Sequence, residues 1–129
     1  MPTPPANTRL TFLIVESEPP QGLSTRKLLV ETAKHNVLTA YDAHEGIQTL
    51  TRFPAVDAIV FDMGVRDMEC ENFVKTAQKM CPQIKVVGLA STDAAASRAI
   101  RCTDFVVSSH DPAALLKLLE KEFGARPLC

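Results

Sequence analysis

Short apolar runs alternate along this chain with longer stretches in which apolar residues recur every three or four positions. Thr11-Phe12-Leu13-Ile14-Val15 is too short for a helix and β-branched enough for a buried strand. It stops at Glu16-Ser17-Glu18-Pro19-Pro20, where two prolines end the strand and suit the first turn of a helix. Gln21 to about Lys34 has helical spacing, with Leu28, Leu29, Thr32 and Ala33 near one face. Asn36–Ala40 reads as a second strand. Asp42 is a good N-cap, and Ala43, Gly46, Ile47 and Leu50 then fall at i, i+3, i+4 and i+7, carrying a helix to about Phe53, which Pro54 closes. Ala55–Phe61 is a third buried strand ending in Asp62. Phe73, Val74, Ala77 and Met80 make a helical stripe that Pro82 ends, and Ile84–Leu89 is a fourth strand. Ala94 to about Arg101 is a short helix with Asp93 or Thr92 as cap. Phe105–Val107 centres a fifth strand. Asp111-Pro112 is a cap followed by proline at the first helical position, and Leu115, Leu118, Leu119 and Phe123 give a last amphipathic helix ended by Gly124.

Strand followed by helix, five times over, with strands apolar on both faces, predicts a parallel sheet covered by helices. Right-handed crossovers leave few topologies. The order 2-1-3-4-5, as in flavodoxin-like folds, is adopted by analogy. The functional crevice of such a sheet lies at the carboxyl ends of its strands, beside the switch between strands one and three. Residues 1–9 read as a Pro-rich flexible leader, 10–124 as one α/β domain and 125–129 as a tail too short for an output domain. The chain is therefore expected either to act by docking or to be part of a longer protein.

Composition narrows the function classes. The 129 residues suffice for one domain with a real apolar core, and 46% hydrophobic with 22% charged residues is ordinary for a soluble globular protein. A formal charge of -1 argues against nucleic acid and anionic lipid as partners. No apolar run reaches the roughly 18 residues of a membrane span, and MPTPPANTRL lacks the apolar core of a secretory signal, so the cytoplasm is the expected compartment. Cys70, Cys81, Cys102 and Cys129 form no C-x-x-C pair and have no histidine at metal-finger spacing, so reduced thiols are expected.

The crevice is where chemistry enters. Glu16, Ser17 and Glu18 follow the first strand and Asp62 follows the third. Carboxylates gathered there repel one another unless a cation or proton offsets them. Mg²⁺ held by one or two carboxylates and several waters would do so, and Asp62 would then be a nucleophile able to form an aspartyl phosphate. Acids at strand ends are also common as plain solvated loop residues.

The segments L-I-V-E-S-E-P, A-V-D-A-I-V-F-D, K-V-V-G-L-A-S and D-F-V-V-S-S resemble those of response-regulator (CheY-like) receiver domains, from Thr11 to about Phe123. The helical stretch A-Y-D-A-H-E-G-I resembles the family as well, with Ala43 where glycine is usual. The resemblance implies Asp62 as phosphoacceptor and Glu16, Asp62 and Gly64 as the Mg²⁺ residues. It implies Ala90, Phe105 and Ser108 at the switch positions.

The match is uneven in its chemistry. Ser17 stands where a second acid is usual, and a hydroxyl is a weaker ligand for a hard cation, so Mg²⁺ should be held weakly. Ala90 replaces the usual hydroxyl residue, with Ser91 one position on. Ser108-Ser109 replaces Lys-Pro and supplies no charge-assisted contact to a phosphoryl group. Arg66, in V-R-D-M-E-C, replaces a proline beside the site. The 90–105 stretch is about one helical turn shorter than the family's, so the fourth of the five predicted helices is expected to be short, distorted or a loop.

These departures favour an atypical receiver that keeps the fold as a protein-interaction module (a pseudo-receiver), non-enzymatic, with a histidine kinase or other signalling protein as partner and a monomer or weak dimer as its state. The alternatives are a phosphorylatable receiver using Asp62 with Mg²⁺, and a small flavodoxin-like cofactor-binding protein. The acidic loop after the first strand argues against the latter, because it would repel a cofactor phosphate.

Overall fold

The structure, a computed structural model, describes residues 10–17 and 36–124. The leader, Glu18-Pro19-Pro20, the helix expected from Gln21 to Lys34 and the tail lie outside the described residues.

Five strands, β1 (Thr11–Val15), β2 (Asn36–Ala40), β3 (Ala58–Asp62), β4 (Lys85–Ala90) and β5 (Phe105–Ser108), form one parallel sheet in the order β2-β1-β3-β4-β5. This is the topology expected from the strand–helix repeat. Helices span Ala43–Arg52, Cys70–Met80, Asp93–Cys102 and Pro112–Leu119, the last running on into a π-helical turn, Glu120–Gly124.

The strands are apolar throughout because both faces are covered. Alternate residues point to opposite sides of a strand. Leu13, Val15, Ile59, Phe61 and Val86 accordingly pack in one core with Leu50, Phe73, Ala77 and Ala99 from the 43–52, 70–80 and 93–102 helices. Their neighbours Phe12, Ile14, Val60, Val87 and Val107 pack in the other with Leu115, Leu119 and Phe123. Ring contacts stiffen both layers. Phe61 lies against Phe73 at 4.6 Å between centroids. Phe123 takes Phe12 and Phe105 edge-on, at 5.9 and 6.4 Å.

Two aspartates fix the strand register at the end of the sheet opposite the crevice. The Asp57 carboxylate accepts from the Thr11 amide at 2.8 Å, while the Asp57 amide donates to the Thr11 carbonyl at 2.8 Å. Asp104 repeats the device on Val86, at 2.8 and 2.9 Å. This is why β3 begins at Ala58 rather than at the expected Ala55: Asp57 is used as an anchor ahead of the strand.

The 93–102 helix meets the expectation of a short helix in this stretch. It is a regular α-helix of ten residues, the same length as the 43–52 helix, and is neither distorted nor replaced by a loop. The Thr92 hydroxyl caps it by accepting from the Ala95 amide at 3.0 Å, and an alanine-rich sequence favours the helical state. Small residues also seat it low on the sheet. A Cβ placed on Gly88 of β4 would stand 3.0 Å from the Ala99 Cβ and 3.3 Å from Thr103.

Candidate functional site

The crevice at the carboxyl ends of β1 and β3 is built by register. Val15 is level with Phe61, which brings Glu16, the next residue along, beside Asp62, the last residue of β3. Adjacent strands lie about 4.8 Å apart. Glu16 is the one buried charged residue among those described, and its amide donates to the Ala40 carbonyl at 2.9 Å. Asp62 is half-buried. The chain turns back sharply after it: the Val65 amide reaches the Asp62 carbonyl at 3.0 Å, and the Gly64 amide donates to Asp62 Oδ1 at 2.8 Å. A Cβ on Gly64 would stand 3.2 Å from Asp62 Oδ1 and 3.9 Å from Ser17 Oγ. Glycine therefore lets the backbone approach both side chains, and Ser17, Asp62 and Gly64 converge on one spot.

The other wall of the crevice is different. Ala90 ends β4 and is paired with Ser108, which ends β5. Ala90 is buried in the core and Ser91 is exposed. The Ser108 hydroxyl accepts from the His110 amide at 3.1 Å, and the Ser108 carbonyl takes the Asp111 amide at 3.2 Å, so its polar atoms serve the turn into the last helix. Phe105 is half-buried and packs edge-on against Phe123.

Arg66 is exposed in the loop after β3 and lines an open groove of about 1150 Å³ together with Ser91, Thr92, Arg98 and Arg101. Ion pairs among the described residues join His44 to Asp67 and Lys75 to Glu71, and involve none of these arginines.

Sequence reasoning missed Asp67. Its carboxylate accepts from the Ala43 and His44 amides, each at 2.9 Å, and contacts the His44 ring. These groups open the 43–52 helix, whose N-cap Asp42 already accepts from the Glu45 amide at 2.7 Å. Desolvation works against the charge on Asp67, but the bonds from Ala43 and His44 outweigh it and hold its pKa down at about 2. The loop that follows Asp62 is thereby pinned to a helix N-terminus, where backbone amides and the helix dipole favour an anion. Asp67 lies 24 residues from Ala43, too far for any local pattern to signal the contact.

Chemically, the β1–β3 wall offers a carboxylate nucleophile steadied by a backbone amide, with a second carboxylate alongside. Two carboxylates fit a largely hydrated Mg²⁺. No group of three or more His, Cys, Asp or Glu side chains suited to a metal is assembled among the described residues. The β4–β5 wall supplies no hydroxyl at Ala90 and no cation at Ser108, whose hydroxyl oxygen accepts from the His110 amide.

No protein-family model matches the chain, and no curated protein matches it. Solved structures do. A two-component response regulator of the LuxR family from Aurantimonas sp. SI85-9A1 superposes with a TM-score of 0.77 at 18% identity, covering 92% of this chain and 88% of its own. Chemotaxis response regulator CheY4 of Vibrio cholerae gives 0.70 at 20% identity, over 88% of this chain and 98% of its own. The receiver domain of the Saccharomyces cerevisiae response regulator Ssk1, solved with the histidine phosphotransfer protein Ypd1, gives 0.69 at 14% identity, over 88% of each. With its sheet order, its helices and its acid-bearing crevice, the chain has the fold of the CheY-like response-regulator receiver domains.

Proposed function

We propose that this protein is an atypical receiver of two-component phosphorelay signalling, built on residues 10–124, that works as a pseudo-receiver: a non-enzymatic module that binds other proteins. The observation that carries this reading is the β4–β5 wall. Ala90 is buried without a hydroxyl, and the Ser108 hydroxyl is engaged by the His110 amide. Phosphoryl transfer relies on positioning and charge stabilisation, and that wall offers a phosphoryl group neither.

The partner in this reading is a histidine kinase or another signalling protein, met by a monomer or weak dimer in the cytoplasm. The Ssk1 receiver in its complex with a histidine phosphotransfer protein is a precedent for such a partner. The near-neutral charge supports a protein rather than nucleic acid or a membrane surface. No helix among the described residues is long and apolar enough to cross a membrane.

A phosphorylatable receiver is the second reading, favoured by the convergence of Ser17, Asp62 and Gly64. Asp62 would be the phosphoacceptor, and Glu16, Asp62 and Gly64 would hold Mg²⁺, which when bound neutralises charge between carboxylate and phosphoryl oxygens. Ala90, Phe105 and Ser108 would be the switch positions.

Incubation with Mg²⁺ and acetyl phosphate, followed at once by intact mass measurement, separates the two. The pseudo-receiver predicts no adduct on wild type or on Asp62→Asn, and no Mg²⁺ binding by titration. A phosphoryl adduct on wild type alone would overturn it and establish Asp62 as a working acceptor.

A further inference from the structure

Cys70 and Cys102 are 32 residues apart in the chain, yet their sulfurs lie 2.8 Å from each other. Cys70 is the first residue of the helix that follows the Asp62 loop, and Cys102 is the last residue of the 93–102 helix. Both are half-buried free thiols, and both line the open groove that Arg98 and Arg101 also line. A small oxidant can therefore reach them. A disulfide requires about 2.05 Å between sulfurs, so closure asks for a movement of under about 1 Å. Cys81 offers an internal contrast: it is also a half-buried free thiol, but its sulfur contacts the Pro54 carbonyl and no other thiol among the described residues.

We propose that Cys70 and Cys102 form a reversible, oxidisable dithiol that, on reaction with a hydroperoxide, cross-links the helix after the phosphoacceptor-position loop to the helix after β4. The step does not depend on whether Asp62 accepts a phosphoryl group. The Cys102 thiolate attacks one peroxide oxygen, giving a sulfenic acid and releasing the alcohol, or water from hydrogen peroxide. Cys70 then attacks the Cys102 sulfur; the S–S bond forms, the S–O bond breaks, and the departing hydroxide leaves as water with the Cys70 proton. Two thiols and one hydroperoxide thus yield one disulfide, one alcohol and one water. Burial, and then the neighbouring Cys102 thiol, push the Cys70 thiol well above its usual range. A raised thiol is the poorer first nucleophile, which suits Cys70 to the second, resolving attack. A thiol reductant reverses the bond by exchange.

The test uses the full chain, reduced, desalted and treated with equimolar hydrogen peroxide, then denatured and alkylated with N-ethylmaleimide. The expected product has lost two hydrogens and takes up two fewer maleimides than the reduced chain. Trypsin should release residues 67–75 joined to residues 102–117, a pair that dithiothreitol separates. The melting midpoint of the oxidised chain should rise by on the order of 10 °C and return on reduction. Cys70→Ser should abolish the linked pair and leave Cys102 over-oxidised or unreacted. Retention of all four alkylatable thiols, linkage of Cys102 to Cys81 or Cys129 instead, or an unchanged melting midpoint in the linked chain would each overturn the proposal.

Discussion

The two walls of the crevice differ in what holds them. The β1–β3 wall is tied by side-chain contacts that reach across the fold: the loop after Asp62 to the 43–52 helix through Asp67, and β3 to the 70–80 helix through the Phe61–Phe73 ring contact. At the β4–β5 wall the backbone is joined from strand to strand, the Ser109 amide donating to the Ala90 carbonyl at 2.9 Å, but the side chains reach nothing distant: the Ser108 hydroxyl serves its own turn and Ala90 fills core. Identical backbone topology thus supports a preorganised acidic half and a chemically bare half. The lesson is that a fold can conserve the position of a site while only part of its charge pattern is present.

Four measurements would break or sharpen this contrast. The largest effect is expected from Phe73→Ala, which removes a fully buried ring packed against Phe61 and should cost about 3–5 kcal/mol in denaturant unfolding. A cost under about 1 kcal/mol would mean that the acidic wall does not rest on that layer. Next comes the double change Ala90→Thr with Ser108→Lys, which supplies a hydroxyl and a cation to the bare wall. It should bring a phosphoryl adduct at Asp62 with acetyl phosphate where wild type shows none, read by intact mass. If labelling stays absent, the acidic wall is itself unsuited to the chemistry.

A smaller effect is expected from Asp67→Asn, at about 1 kcal/mol for a weakened helix cap. Its signature is the pH dependence. The folded-state pKa of Asp67 is depressed from 3.8 to about 2, so its contribution is present above pH 3.8 and is lost as pH falls towards 2. The variant should therefore show a shallower loss of stability between those limits, and an unchanged acid limb would remove Asp67 as the tether. The smallest effect belongs to Ser108→Ala, which forfeits a solvent-exposed turn bond and should shift stability by no more than about 0.5 kcal/mol. A larger loss would show that the bare wall is also held from a distance.

What could be read from the sequence divides along the same line between local and distant bonds. The caps at Asp42, Thr92 and Asp111 were legible because each carboxylate or hydroxyl bonds an amide three residues on. The five strands were legible because each is a short apolar run between polar breaks; their repetition implied a parallel sheet, and the order adopted by analogy with flavodoxin-like folds is the one observed. The convergence of Asp62 with Ser17 could be expected once that order was in hand. The tethers made by Asp57, Asp67 and Asp104 were not legible, and Asp57 fell inside the expected third strand, since their partners are supplied by other elements. The Cys70–Cys102 contact has no signature in cysteine spacing. The short 93–102 helix was legible from its cap and alanines, whereas its close seat over Gly88 was not, because small residues carry little hydrophobic signal.

That close seat has a consequence for motion. The 70–80 helix buries Phe73, Val74 and Ala77, and the 112–119 helix buries Leu115 and Leu119, whereas the 93–102 helix buries only Ala95 and Ala99. Two methyl-sized contacts remove little apolar surface from water, so this helix should have the lowest free energy of local opening among the four. In native-state hydrogen exchange its amides should be the first helical ones to gain deuterium, while those of β1, β3 and β4 persist to global unfolding. Of the four described helices, the one most free to breathe would then be the one that carries Arg98, Arg101 and, at its end, Cys102.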